Sequence, residues 1–278
     1  MATKKAVSST KNSSTRTSAA KTTTRTSVTT APASATKNTF IGHVQESVRS
    51  VTLWRALIAE FIGTFLLAGV IIAGQGQPIF VLFAFAGIVL LIGAISGAHV
   101  NPAITIGALV TRRIGWLRAL GYIIVQCLGA AVAYFTLTAF IGGAAPVSAE
   151  AAAYGQQAAA LFTAADITQL TGKEWFVFFS ELLGTAILGF AIANATREVQ
   201  DRVAAAFTAG FGIFIALMVA VSAASYVGAT AIINPAVAVA LQAYSANWWP
   251  VAIYAIAPVI GGILGFVLYD LLRGRTAR

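Results

Sequence analysis

Ile232-Ile233-Asn234-Pro235-Ala236-Val237-Ala238-Val239 places one amide and one proline inside an otherwise apolar run. Asn suits a helix N-cap, and Pro suits the first helical position, where its fixed φ and missing N–H cost nothing. The stretch therefore reads as a helix that starts in the middle of hydrophobic sequence. The same tripeptide occurs earlier as Asn101-Pro102-Ala103, again inside an apolar run. The apolar pieces that follow, about 102–111 and 235–243, are each near ten residues, or roughly 15 Å of helix at 1.5 Å per residue. That is half the ~30 Å hydrocarbon core of a bilayer.

Composition supplies the surroundings such helices need. Hydrophobic residues make up 58% of the chain and charged residues 10%, against about 25% charged in a typical soluble domain. So few charges cannot clothe a water-facing surface, so the exterior faces lipid. Six stretches are long enough to cross a bilayer: roughly 53–74, 78–96, 117–142, 175–195, 204–224 and 249–272. Helices that begin near the midplane are tolerated only where protein or a water-filled cavity surrounds their ends.

The chain repeats itself. Ala59-Glu60-Phe61-Ile62-Gly63-Thr64-Phe65 in the first span is echoed by Ser180-Glu181-Leu182-Leu183-Gly184-Thr185-Ala186 in the fourth. Each is followed, two spans later, by its Asn-Pro-Ala site. Three crossings per unit give two copies of opposite topology, repeat one at about 53–142 and repeat two at about 175–272. Inverted repeats of this kind place their site at the midplane between the halves. The fold class that follows is an all-α membrane protein with six transmembrane helices and two re-entrant half-helices. Residues 49–278 form its channel-like domain, and the segment 143–174 links the repeats, with a short helix expected near 148–162.

Charge orients the bundle. Arg49 and Arg55, Arg112, Arg113 and Arg118, Arg197 and Arg202, and Arg273, Arg275 and Arg278 fall at one end. The other end carries Gln75 and Gln77, then Lys173, and no charge between spans five and six. The positive-inside rule makes both termini cytoplasmic and the 143–174 loop extracellular. The formal net charge of +9 is mostly a property of the ends. Residues 1–48 read as a basic, disordered cytoplasmic tail, since Lys4, Lys5, Lys11, Arg16, Lys21, Arg25 and Lys37 stand among Ser, Thr and Ala without hydrophobic periodicity. A transit peptide or a contact with anionic lipid are the other readings of that composition. A tail with no aromatic residue before Phe40 argues against nucleic acid.

Glu60 and Glu181 are acids within spans, where an ionised group costs about 2.5–3.5 kcal/mol on insertion scales. One reading is a proton or cation relay. The other, favoured because no basic or carboxylate partner accompanies either one, is that each carboxylate accepts hydrogen bonds from the non-helical backbone leading into a half-helix. The paired Asn residues can cap their helices or turn an amide N–H toward a lumen. Two facing helix starts, each near +0.5 charge, disfavour cations and protons yet let neutral hydrogen-bonding molecules pass. The single Cys127 excludes an intramolecular disulfide, and no metal-ligand cluster, phosphate-binding loop or cofactor motif is present. Nothing points to an enzyme.

With those motifs in place, the chain resembles the major intrinsic protein family, the aquaporins and aquaglyceroporins. The resemblance spans about residues 53–272. It rests on Ala59-Glu60-Phe61-Ile62-Gly63-Thr64, on Ser96-Gly97-Ala98-His99-Val100-Asn101-Pro102-Ala103, and on Tyr122, Gln126, Gly129 and Ala130. Ile233-Asn234-Pro235-Ala236 and Ala257-Pro258 with Gly261 complete it. It implies a plasma-membrane homotetramer with one passive pore per subunit, for water and other small neutral solutes. Asn101, Pro102, Ala103, Asn234, Pro235 and Ala236 then form the pore midplane. His99 holds its loop or, alternatively, acts as a pH gate. Counting from the Asn-Pro-Ala sites gives Val81, Ser222, Ala231 and Val237 as the selectivity filter. The family usually has an aromatic residue at the first of these and Arg at the last. Losing the guanidinium removes a charge and five donors, and a broad, apolar mouth is expected. The alternatives are a glycerol-, urea-, ammonia- or peroxide-type facilitator with low water flux, and a low-flux structural membrane protein.

Overall fold

A computed structural model describes residues 40–197 and 200–274. Residues 1–39 of the expected tail lie outside the described residues. A helix already begins within the stretch read as tail: α1, Phe40–Arg49, is followed by Ser50, the N-cap residue of the next helix. This helix overlaps residues 40–48 of that stretch. Apolar Phe40, Ile41, Val44 and Val48 recur at helical spacing, the pattern that draws such a segment into a helix.

The elements that follow are α2 (Val51–Ala73), α3 (Pro78–Ser96), α4 (Pro102–Val110), α5 (Trp116–Gly142), α6 (Ala149–Ala153), a 3₁₀ turn (Ile167–Gln169), α7 (Glu174–Ala195), α8 (Arg202–Ser225), α9 (Pro235–Ala240), α10 (Trp248–Val251) and α11 (Ala257–Arg273). Among the described residues, six helical stretches are long and apolar enough to cross a membrane, and they match the expected spans. The chain is an integral, multi-pass membrane protein. The second span is the shortest, at 19 residues. Large apolar side chains stand exposed along the spans, for example Ile58 and Ile62 on α2 and Phe211 and Ile215 on α8. That is the outward face lipid requires.

The last span is not one regular helix. A π-helical turn, Ala252–Ile256, joins α10 to α11. Pro258 causes it, because proline lacks an N–H and its ring clashes with the carbonyl four residues back. That carbonyl belongs to Tyr254, and it accepts from the Tyr244 hydroxyl at 3.0 Å instead. The half-helix α9 is also shorter than the expected 235–243. The chain turns at Gln242, at φ 53°, where the N–H of Ala243 bonds back to Ala238 O. The loop helix α6 covers only Ala149–Ala153, since Gly155 at φ 83° ends it.

The repeats interlock. Within each one the first span packs on the second and third, α2 on α3 and α5, and α7 on α8 and α11. The half-helices cross over: α4 packs most against α11, and α9 against α5. Close approach depends on small residues at matched places. A Cβ at Gly129 would meet the Phe61 carbonyl, and one at Gly261 would meet the Leu182 carbonyl. Each glycine lets the third span of its repeat lie against the first.

Candidate functional site

Two non-helical connectors, 97–101 and 229–234, carry the chain from a span into a half-helix. Their backbone is strained. Ala98, Val100 and Ile233 have φ of 50°, 40° and 50°, a region where β-branched residues are genuine outliers.

The paired glutamates hold that strain in place. Glu60 accepts from the N–H of His99 at 2.9 Å and of Val100 at 2.7 Å, and from Gln126 Nε2 at 2.8 Å. Glu181 accepts from the N–H groups of Ile232 and Ile233, the latter at 2.7 Å. Both carboxylates are fully buried. Among the described residues neither carboxylate forms an ion pair, and both accept hydrogen bonds from connector backbone. In a trans peptide the C=O points opposite the N–H. The carbonyls of Ala98, His99, Ala231 and Ile232 therefore point away from the carboxylates. These four residues also bound the cavities at the two ends.

The half-helices start as expected. Asn101 and Asn234 are extended N-caps, with Pro102 and Pro235 at the first helical positions. Asn101 Oδ1 accepts from Ala103 N at 2.9 Å, and Asn234 Oδ1 from Ala236 N at 3.0 Å. Each Nδ2 crosses to the other repeat: Asn101 to Ile233 O and Asn234 to Val100 O, both at 2.9 Å. The second N–H of each amide is left over. Ala103 and Ala236 are fully buried beside them.

His99 is buried, with Nδ1 3.2 Å from Thr105 Oγ1 and its ring edge-on to Tyr122. Tyr122 donates to Ser96 O at 2.7 Å, and Gln126 joins Thr105 to Glu60. Thr105 is a member of this network that motif reading missed. Its place one turn into α4 was the available signal.

At the arginine-rich end a cavity of about 460 Å³ is bounded by His99, Arg112, Arg113, Arg118, Arg197 and their neighbours. Arg113 pairs with Asp270 at 2.7 Å, bonds Ala193 O at 2.9 Å and lies over the Phe266 ring. Burial lowers the pKa of its guanidinium, and the Asp270 carboxylate opposes that. Arg197 shares the same carboxylate oxygen at 2.8 Å.

The opposite end holds a cavity of about 160 Å³, and here two filter expectations change. Val81 and Ala231 bound it. Ser222 does not; it is exposed, on the stripe of α8 that carries Phe211, Ile215 and Met218. Leu217 and Val221 face the cavity instead. A one-residue error in counting back through the 226–233 connector rotates a helical position by about 100°, which accounts for the difference. Val237 is fully buried and does not bound the cavity either. Its short side chain packs in the first turn of α9, and Leu241, one turn on, reaches the wall. The mouth is bounded mainly by apolar side chains, Ile71, Leu217, Val221, Ile232 and Leu241 among them, with Phe162, Gln75, Gln77 and Thr230 also on its wall.

The family profile described as "Major intrinsic protein" matches residues 47–269, most of the chain. The chain belongs to the major intrinsic protein family. Among its relatives, the human lens fiber major intrinsic protein is 31% identical over 240 residues, covering 81% of this chain and 83% of that one. Aquaporin PIP2-7 of Arabidopsis thaliana is 30% identical over 197 residues, which is 60% of this chain and 63% of that protein. The aquaglyceroporin from Plasmodium falciparum, known from an X-ray structure, shares the fold with a TM-score of 0.59 at 20% identity. That match covers 78% of this chain and 96% of the other.

Proposed function

We propose that this major intrinsic protein is a passive channel for water and other small neutral solutes. The observation that carries the reading is the pair of facing half-helices, locked to each other by Asn101 and Asn234 and continued on both sides by outward-turned carbonyls. Asn101-Pro102-Ala103 and Asn234-Pro235-Ala236 form the midplane barrier. There the two positive helix starts repel cations, while spare amide N–H groups and carbonyls replace hydration for neutral molecules. Glu60, Glu181 and His99 hold the connectors. Val81 and Ala231, with Leu217 and Val221, act as the filter at the other constriction.

The arginine distribution supports cytoplasmic termini, and family resemblance supports a homotetramer in a plasma membrane. A second reading, a low-flux structural membrane protein, is favoured by the mainly apolar filter, because hydrophobic constrictions can dewet and close.

The test is stopped-flow light scattering of proteoliposomes after osmotic steps of sucrose, glycerol and urea, with internal pH followed in parallel. Water-driven shrinkage faster than in protein-free liposomes, without proton entry, is expected. Shrinkage at the protein-free rate for every solute would remove the channel reading. Glycerol or urea entry with little water flux would make the protein a solute facilitator instead.

A further inference from the structure

The 143–174 loop brings an aromatic residue to the same mouth as Val81. After α6 this loop runs back across the Gln75 end, tied at two points. Gln75 Nε2 donates to Ala160 O at 2.8 Å, and Ala165 N–H donates to Thr230 Oγ1 at 3.0 Å. Thr230 belongs to the second connector, next to Ala231, so the loop is fastened to the passage wall itself. Beyond the second tie, Ile167 is buried, and Asp166 accepts from Thr168 N at 3.0 Å, which fixes the turn that follows.

Between the ties lies Leu161-Phe162-Thr163-Ala164. Phe162 bounds the 160 Å³ cavity together with Val81 and Ala231. Its ring lies on Gly76, at φ 67°, so closely that a Cβ there would sit 2.7 Å from Phe162 Cζ. Position 76 is therefore glycine for two reasons, backbone conformation and room for the ring.

We propose that Phe162 is the size-determining residue of this mouth, an aromatic wall supplied by the loop where α3 offers only Val81. The proposal rests on the channel reading. The ring narrows a mainly aliphatic opening, leaving Gln75, Gln77, the Thr230 hydroxyl and the Ala231 and Ile232 carbonyls as its polar side. Such an opening passes water and solutes of similar width and holds back branched or three-carbon polyols and urea. Pore width and lining groups set that discrimination.

The experiment compares wild type, Phe162→Ala, Phe162→Trp and Gln75→Ala in the same osmotic assay, each checked for monodisperse elution. Phe162→Ala is expected to raise glycerol and urea permeability roughly tenfold, about 1.4 kcal/mol of barrier, with water permeability changing much less. Phe162→Trp is expected to lower all fluxes. Gln75→Ala keeps the ring but frees one tie, so a smaller rise of the same kind is expected. If wild type conducts nothing and Phe162→Ala opens it, Phe162 is still the limiting residue. Unchanged solute-to-water ratios in a conducting Phe162→Ala protein would overturn the inference while leaving the channel reading standing. Silence of both wild type and Phe162→Ala would overturn both.

Discussion

Asn101 and Asn234 each donate a side-chain N–H to the backbone carbonyl just before the other, at 2.9 Å in both directions. The two repeats are thus fastened at the depth where both half-helices begin. Each Asn uses its oxygen locally, as a cap, and its nitrogen at long range. Aspartate keeps the first role and loses the second.

Asn101→Asp and Asn234→Asp should therefore each break one cross-repeat bond and place a negative charge between two positive helix ends. The expected outcome is a measurable proton or cation leak, read by an internal pH dye under an imposed gradient, with a stability loss of about 1–2 kcal/mol. A leak no greater than in wild type would show that the helix ends do not set charge selectivity.

Glu60→Gln and Glu181→Gln test the connectors. A glutamine offers one acceptor and turns an NH₂ on the second backbone N–H, leaving a buried donor unsatisfied at about 1–3 kcal/mol. Both variants should unfold at lower temperature in detergent. Glu181→Gln should conduct less as well, because the carboxylate holds the N–H groups of Ile232 and Ile233 beside the filter. An unchanged melting profile would mean that the connectors keep their strained path without the carboxylates.

The filter correction has its own test. Ser222→Leu lies on the exposed stripe of α8 and should leave water and solute flux unchanged. Val221→Trp faces the cavity and should reduce both. Val237→Arg must send its guanidinium out of the packed first turn of α9 toward the mouth, lowering glycerol and urea flux more than water flux. If Ser222→Leu were the variant that blocked conduction, the rotation assigned to α8 would be wrong.

Asp270 balances two arginines at the other end, Arg113 and Arg197. Asp270→Asn leaves the half-buried Arg113 charge uncompensated. The expected cost lies between the ~0–1 kcal/mol of an exposed pair and the ~3–5 kcal/mol of a buried one. It should appear as a lower melting temperature, with solute-to-water ratios unaltered because the pair lies at the opposite end from the filter. A change in those ratios would contradict that separation.

Much of this protein was legible without coordinates because its decisive signals obey local rules. Asn-Pro at a helix start, an isolated acid in an apolar span and twenty-residue apolar runs each carry their meaning in a few adjacent residues. Glu60 and Glu181 matched each other in the repeat, and both proved to bind the connector backbone. The spans, the half-helix starts and the inverted arrangement follow from those patterns alone. Only the tertiary structure decided which residues meet at the mouth. Ser222 and Val221 differ by one position, and their roles hinge on the rotation of α8, which depends on how the 226–233 connector folds. Phe162 and Gly76 touch across a long loop that has no periodicity to read. Local patterns fix helices, but a lumen is a surface shared by segments distant in sequence, and only their packing says which side chains reach it.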